Sequence, residues 1–190
     1  MSTEPNTGGI SMLNLDSTVL VVVDVQGKLA TLMHEHESLF HNIVTMVKGA
    51  KLLNVPILWL EQIPEKLGGT VPELANELSG FSPVRKSSFS ACGEPAFISA
   101  LEHTGCRQVL LTGIEAHICV YQTAMDLLAG GYEVEVLVDG VSSRTLQNKE
   151  VALDKMSAQG ADLTTVEMAL FELMKSAEAE KFREIAMLIK

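Results

Sequence analysis

Cys119 lies where a thiol could act as a nucleophile. It follows the apolar run at residues 108–111 and the loop "TGIEAHI", in the first turn of a predicted helix at 116–129. The start of a helix carries positive potential and free N–H groups, which lower the pKa of a thiol and can bind an oxyanion. A lone cysteine in an apolar helix is more often a packing residue, so position alone leaves both interpretations open. Cys92, in a loop, and Cys106, in a turn, are interpreted as packing residues.

Asp24 and Lys86 could supply the charged partners of such a nucleophile. Asp24 directly follows the apolar run "TVLVVV". A carboxylate there has to be solvated, paired or functional, and a cap of the turn near Gly27 is the alternative interpretation. Lys86, within "SPVRKSSFS", would by default be a surface lysine. If both residues lie at one edge of a sheet, the lysine keeps its charge beside the carboxylate and the thiol and favours the thiolate.

Short apolar runs alternate with helical patterns, and this alternation predicts the elements that position these residues. It predicts an α/β fold with three layers, a doubly wound and mostly parallel sheet of about six strands with helices on both faces. The carboxyl ends of the strands in such a sheet are where ligands bind. The predicted strands are 17–25, 55–61, 82–90, 108–111, 133–138 and 162–165, and the predicted helices are 39–54, 72–78, 95–104, 116–129, 148–159, 166–175 and 179–189, with a loop at 64–69.

Composition limits the class of protein. A chain of 190 residues fits one domain, predicted at 15–190 after a short flexible lead at 1–14. The net charge of −10 argues against a nucleic-acid partner, and no apolar run is long enough to predict a membrane span. The first residues do not resemble a secretion signal, and three cysteines suit a reducing compartment, so we expect a cytoplasmic protein.

Neither a metal site nor a bound cofactor is expected. The chain has five histidines, and none of them belongs to a cluster with the spacing of metal ligands. The run "HEH" at 34–36 lies among glutamates and is interpreted as a solvated segment. No glycine-rich nucleotide-binding motif follows any predicted strand.

Three stretches of the sequence resemble the isochorismatase-like cysteine hydrolase family over about residues 15–165. They are "VVVDVQ" at the first strand, "RKSSFSAC" around Lys86, and "LLTGIEAHICVYQTAMDLLAGGYEVEVLVDGVSSR" at 110–144. The stretch "EQIPEKLGGTVPEL" is similar to a divergent, metal-free branch, the isochorismatase domain-containing proteins.

The resemblance implies roles for individual residues. Cys119 is the nucleophile, Asp24 the general base, and Lys86 the cation that holds the pair charged. A non-prolyl cis peptide is implied at Ile114–Glu115, which turns the backbone N–H of Glu115 to join that of Cys119 in an oxyanion hole. The implied reaction is hydrolysis through a covalent thioester, and family members usually form homo-oligomers.

The substrate is not specified by the resemblance. Nicotinamidases of the family carry histidine metal ligands after the second strand, where this chain has none, and His117 replaces their acid before the cysteine. A small amide, ureide or carbamate is the expected small-molecule substrate, with Glu61, Gln62, His117 and Tyr121 as candidate pocket residues. The alternative is a binding or scaffold protein with little or no turnover. A receiver-type signalling domain is disfavoured because Asp24 lacks the acidic neighbours that hold Mg²⁺ there.

Overall fold

A six-stranded sheet forms the centre of the computed structural model, which describes residues 12–190. The strand order is β3-β2-β1-β4-β5-β6, and every neighbouring pair is parallel. The predicted α/β class with about six strands is confirmed. The strands are β1 (Thr18–Val23), β2 (Ile57–Gln62), β3 (Val84–Lys86), β4 (Gln108–Ile114), β5 (Glu133–Ser142) and β6 (Asp162–Thr164).

Helices cover both faces of the sheet, because every side chain of β1 is buried and both of its faces need apolar partners. One face packs against α1, α2, α4, α8 and α9, and the other against α5, α6 and α7. The helices are α1 (Gly27–Ala30), α2 (His36–Leu52), α3 (Pro64–Leu67), α4 (Pro72–Glu77), α5 (Pro95–Thr104), α6 (Tyr121–Ala129), α7 (Leu146–Ala158), α8 (Val166–Met174) and α9 (Phe182–Leu188). A 3₁₀ turn (Ala91–Gly93) and a π-helical turn (Ala116–Val120) complete the set of elements.

Strand register brings the carboxyl ends of the central strands together. Val23, the last residue of β1, lies beside Leu60 of β2 and Gly113 of β4. Gln62 at the end of β2 pairs with Lys86 at the end of β3. The sheet order reverses between β1 and β4, so the residues that follow these strands meet at the topological switch point.

Several predicted boundaries differ from the observed ones. The predicted helix at 116–129 is divided into the π-helical turn and α6, and the predicted loop at 64–69 contains α3. Strand β5 continues past residue 138 because, beyond a β-bulge, Val141 and Ser142 pair with the end of β4.

Both ends of the described chain pack onto the domain. The predicted flexible lead at 1–14 falls mostly on residues 1–11, which lie outside the described part. Leu13 is 1% exposed and its N–H donates to Glu172 Oε1 at 2.8 Å, so the packed fold begins before residue 15. At the other end, Ile185 of α9 is buried in the core of the same domain. None of the helices in residues 12–190 has the length and hydrophobicity needed to cross a bilayer.

Candidate active site

A cavity of about 140 Å³ opens at the carboxyl edge of the sheet, between the ends of β1, β2 and β4. Its polar wall consists of Asp24, Gln62, Glu115 and Cys119. Apolar side chains form the rest, namely Leu29, Leu67, Phe89, Ile114 and Ile118. The cavity therefore joins a small set of charged and thiol groups to an otherwise apolar chamber.

Lys86 is fixed by four acceptors behind this cavity. Its Nζ lies 2.6 Å from Asp24 Oδ2 and 2.7 Å from Gln62 Oε1. It also donates to the backbone carbonyls of Ser88 and Phe89, each at 3.1 Å. Its side chain is 0% exposed, so the ammonium is held entirely by the protein. The predicted meeting of Asp24 and Lys86 at one sheet edge is thus observed.

Cys119 lies in the π-helical turn, and its thiol donates to Gln62 Oε1 at 3.6 Å. Burial raises the pKa of Cys119 to about 12, and the negative charge of Asp24 adds to the effect. Lys86 acts in the opposite direction but is itself paired with Asp24. Lys86 thus favours the thiolate, as expected, but burial and Asp24 outweigh it, so the pKa of the thiol is raised and not lowered.

Asp24 has the properties of a proton acceptor for that thiol. Its Oδ1 is buried and accepts no hydrogen bond from residues 12–190, whereas Oδ2 is bound to Lys86. Burial raises the pKa of Asp24 above its usual value, although the charge of Lys86 works against this. A carboxylate with a raised pKa is a stronger base, and one of its oxygens remains available.

The predicted cis peptide at Ile114–Glu115 is wrong, since no peptide bond within residues 12–190 is cis. The chain instead changes direction after β4 through a left-handed conformation of Glu115, with φ 51° and ψ 64°. Gly113 prepares this turn with φ 133°, and a Cβ there would lie 2.1 Å from the carbonyl oxygen of Val23. Only glycine fits at this close approach of β4 to β1.

The Glu115 side chain lies between Arg144 and His117, of which His117 was a predicted pocket residue. Its Oε1 lies 2.7 Å from Arg144 Nε, and its Oε2 lies 3.3 Å from His117 Nδ1. His117 Nδ1 also lies 2.9 Å from Ser143 Oγ. Ser143 and Arg144 directly follow β5 in the stretch "DGVSSR", a strand end where polar residues were expected near the site, although the sequence assigned these two no role.

Of the four candidate pocket residues, Gln62 alone lines the cavity. Glu61 is buried, but its Oε1 accepts the N–H and the hydroxyl of Thr70, each at 2.8 Å, and so holds a loop. The ring of Tyr121 lies against Lys155 of α7, 4.7 Å from Nζ. No group of histidine, cysteine, aspartate and glutamate side chains in the described residues is arranged to hold a metal ion.

Comparison with known proteins relates this site to a family. A family model described as isochorismatase domain matches residues 18–168, which include all of Asp24, Lys86, Glu115, Cys119 and Arg144. The chain belongs to the isochorismatase family. This is a family of isochorismatase-like hydrolases, and its members share the fold described above.

Relatives cover nearly the whole chain. A protein of Phytophthora sojae named secreted isochorismatase effector Isc1 is 40% identical over 178 residues, 92% of this chain and 85% of its own length. The structure of MAR1 ribonuclease from Caenorhabditis elegans has a TM-score of 0.89 and 36% identity, covering 94% of this chain and 92% of that one. YcaC of Escherichia coli, described as an octameric hydrolase of unknown specificity, shares the fold with a TM-score of 0.88 at 24% identity, over 98% and 91% of the two chains.

Proposed function

We propose that this isochorismatase-family protein is a cysteine hydrolase that cleaves a small amide, ureide or carbamate. The observation that carries the proposal is that Cys119 and Asp24 line one cavity, with Lys86 Nζ behind it and 2.6 Å from Asp24 Oδ2. A thiol, an adjacent carboxylate with a free oxygen, and a buried cation that orients that carboxylate are the parts of an activated nucleophile.

The first half of the reaction would form a thioester. As Cys119 Sγ attacks the substrate carbonyl carbon, its proton passes to Asp24, so the attack can proceed although burial raises the pKa of the thiol. The oxygen that becomes negative would be stabilised by the backbone N–H of Cys119, and the N–H of Glu115 would join it from the left-handed turn, since no cis peptide directs it there. Asp24 then returns the proton to the nitrogen that leaves as an amine or ammonia.

The second half would regenerate the enzyme. A water molecule gives a proton to Asp24 as its oxygen bonds to the thioester carbon. The carbon–sulfur bond breaks, the product leaves as an acid, and the proton on Asp24 returns to Cys119. Four acceptors hold the Lys86 ammonium in place beside Asp24 throughout.

Cavity size supports a small substrate. A cavity of about 140 Å³ is close to the ~150 Å³ that holds a benzene molecule in an engineered protein. Such a volume suits a molecule of a few heavy atoms. The C. elegans neighbour is named a ribonuclease, but a cavity of this size together with a net charge of −10 favours a small molecule over RNA for this chain.

A panel of small primary amides, ureides and carbamates tests the proposal, with RNA as a separate arm and ammonia release or product mass as the readout. We expect turnover of at least one small carbonyl compound that is lost in Cys119→Ala and kept in Cys106→Ala, the matched cysteine control. Turnover that survives Cys119→Ala would refute the cysteine mechanism, and cleavage of RNA alone would refute the substrate class.

A binding protein without turnover is the second candidate function. The observation that favours it is the burial of Cys119, which is 8% exposed and has a pKa of about 12. A binding protein should take up amides with equal affinity in wild type and Cys119→Ala, measured by calorimetry, and release no product. Product formation that requires Cys119 would exclude this function.

We also propose a homo-oligomer and a cytoplasmic location. The octameric E. coli neighbour supports the first, and three free cysteines support the second, although the P. sojae relative is named as secreted. Analytical ultracentrifugation and cell fractionation test them. A monomer at all concentrations, or recovery from the culture medium, would overturn the respective proposal.

A further inference from the structure

Glu115, which lines the cavity, forms an ion pair with Arg144 that the proposed reaction does not yet use. Glu115 is 6% exposed, and its Oε1 lies 2.7 Å from Arg144 Nε. A carboxylate at this depth needs a partner, because a buried charge without one is strongly unfavourable. Arg144 is half-exposed and reaches in from the loop that follows β5.

The backbone of Glu115 begins the turn that contains Cys119. Its left-handed conformation is unfavourable for a residue with a side chain, and such conformations persist where the surroundings hold them. The carbonyl oxygen of Glu115 accepts the N–H of Ile118 at 2.8 Å, inside the same turn. Glu115 is therefore held at two points: its carbonyl accepts a hydrogen bond within the π-helical turn, and its carboxylate is paired with Arg144.

A second contact joins the same two loops. His117 Nδ1 lies 2.9 Å from Ser143 Oγ and 3.3 Å from Glu115 Oε2. Two consecutive residues after β5, Ser143 and Arg144, thus hold His117 and Glu115, which lie on the loop before Cys119. The position of the nucleophile depends on the end of β5 as well as on its own strand.

The pair of Glu115 and Arg144 also affects the pKa of Cys119, because Glu115 is one of the charges near the thiol. Asp24, at the end of β1, and Glu115, at the end of β4, both raise the pKa of the thiol, whereas Lys86, at the end of β3, lowers it. Lys86 is bound to Asp24 at 2.6 Å. Arg144 is the cation bound to Glu115.

We propose that Arg144 is a positioning residue of the Cys119 site, which holds the Glu115 turn and neutralises the Glu115 carboxylate beside the nucleophile. The proposal rests on the proposed function in that it takes Cys119 as the reacting group. Arg144 acts through Glu115 and is not among the residues that line the cavity.

The rate of Cys119 alkylation by iodoacetamide, followed by peptide mass mapping from pH 6 to 10, tests this without a known substrate. In Arg144→Gln the unpaired Glu115 charge should raise the thiol pKa and slow alkylation roughly threefold per pKa unit, since higher nucleophilicity offsets part of the lost thiolate. Glu115→Gln should react faster than wild type. The double variant should react faster than Arg144→Gln, because the charge that Arg144 compensates is gone.

Two controls separate this effect from damage to the fold. Arg107→Gln removes the same charge at the amino end of β4, where Arg107 binds the Gly131 carbonyl, and should leave the profile unchanged. Arg144→Lys keeps the charge and should alkylate closer to wild type than Arg144→Gln. Thermal unfolding of each variant is measured in parallel. Should Arg144→Gln fail to fold, Arg144→Lys and Glu115→Gln carry the test.

The outcomes distinguish this proposal from the proposed function. An Arg144→Gln profile equal to that of Arg107→Gln, or a double variant as slow as Arg144→Gln, overturns the positioning role. If Arg144→Gln does not fold, a Glu115→Gln profile equal to wild type overturns it. If the alkylation pattern holds while wild type hydrolyses nothing in the amide panel, the proposed function fails and the role of Arg144 stands.

Discussion

Replacement of Lys86 by methionine should destabilise the protein in a way that depends on pH. Lys86 and Asp24 form a buried pair at 2.6 Å, with side chains 0% and 6% exposed. Loss of one partner from a buried pair costs about 3–5 kcal/mol, because the other charge is left without compensation. Methionine has a similar length and fills the same space, so the change is mainly one of charge.

Protonation of Asp24 sets an upper limit on that cost. Starting from the ordinary pKa of 3.8, neutralising the carboxyl group takes about 4.4 kcal/mol at pH 7 and about 1.6 kcal/mol at pH 5. In the variant the folded-state pKa of Asp24 lies above its unfolded value, so the folded state binds the extra proton. The free energy of unfolding, relative to wild type, should therefore fall as pH rises above about 4.

Urea unfolding of both proteins at pH 5, 6, 7 and 8 measures this. We expect a loss of about 3–4 kcal/mol at pH 7 that shrinks to less than about 2 kcal/mol at pH 5, and a double variant with Asp24→Asn that regains most of it. Arg85→Met is the control, since its exposed pair with Glu65 at 3.1 Å should contribute less than about 1 kcal/mol. A loss that is equal at pH 5 and pH 7 would show that the uncompensated charge of Asp24 does not cause it.

Three further predictions follow from individual residues. In Asp24→Asn, Cys119 should be alkylated faster than in wild type, because the charge of Asp24 raises the pKa of the thiol. Hydrolysis should nevertheless be lost, because the base is gone. Slower alkylation would contradict this prediction. Gly113→Ala should lower the free energy of unfolding by about 3 kcal/mol or more, because its Cβ would meet the backbone of Val23. Gly105→Ala is the control and should cost about 1 kcal/mol, since a Cβ there meets no other atom. Equal losses in thermal melts would contradict the close approach of β4 to β1. Burial raises the pKa of Glu135 from 4.5 to about 7, so the protonated carboxyl group favours the folded state, and this stabilisation is lost as pH rises through that range. Glu135→Gln should therefore raise the free energy of unfolding at pH 8 and not at pH 4, as measured by urea unfolding.

The sheet was predictable because its central strands are continuous apolar runs. β1 reads as six buried residues in a row, and a strand covered on both faces has that pattern in any protein. Asp24 and Lys86 could be placed at one edge, because parallel strands share their direction. The short strand β3 was predicted too long, since polar residues after Lys86 continue as a turn that supplies carbonyl acceptors to Nζ.

The details around Cys119 were less accessible to sequence reasoning. A π-helical turn has no hydrophobic period of its own in five residues, so 116–129 was predicted as one helix. The altered phase after that turn directs Tyr121 toward Lys155 instead of the cavity. The pair of Glu115 and Arg144 spans 29 positions and depends on where β5 ends, which the bulge in its pairing with β4 determines.

Detection of a covalent intermediate on Cys119 tests the proposed thioester mechanism most directly. Mass spectrometry of protein quenched in acid during turnover of an active amide should show an acyl adduct, and peptide mapping should place it on Cys119. The adduct should be absent in Cys119→Ala and unchanged in Cys106→Ala. An adduct on Cys92 or Cys106, or full turnover in Cys119→Ala, would contradict the account.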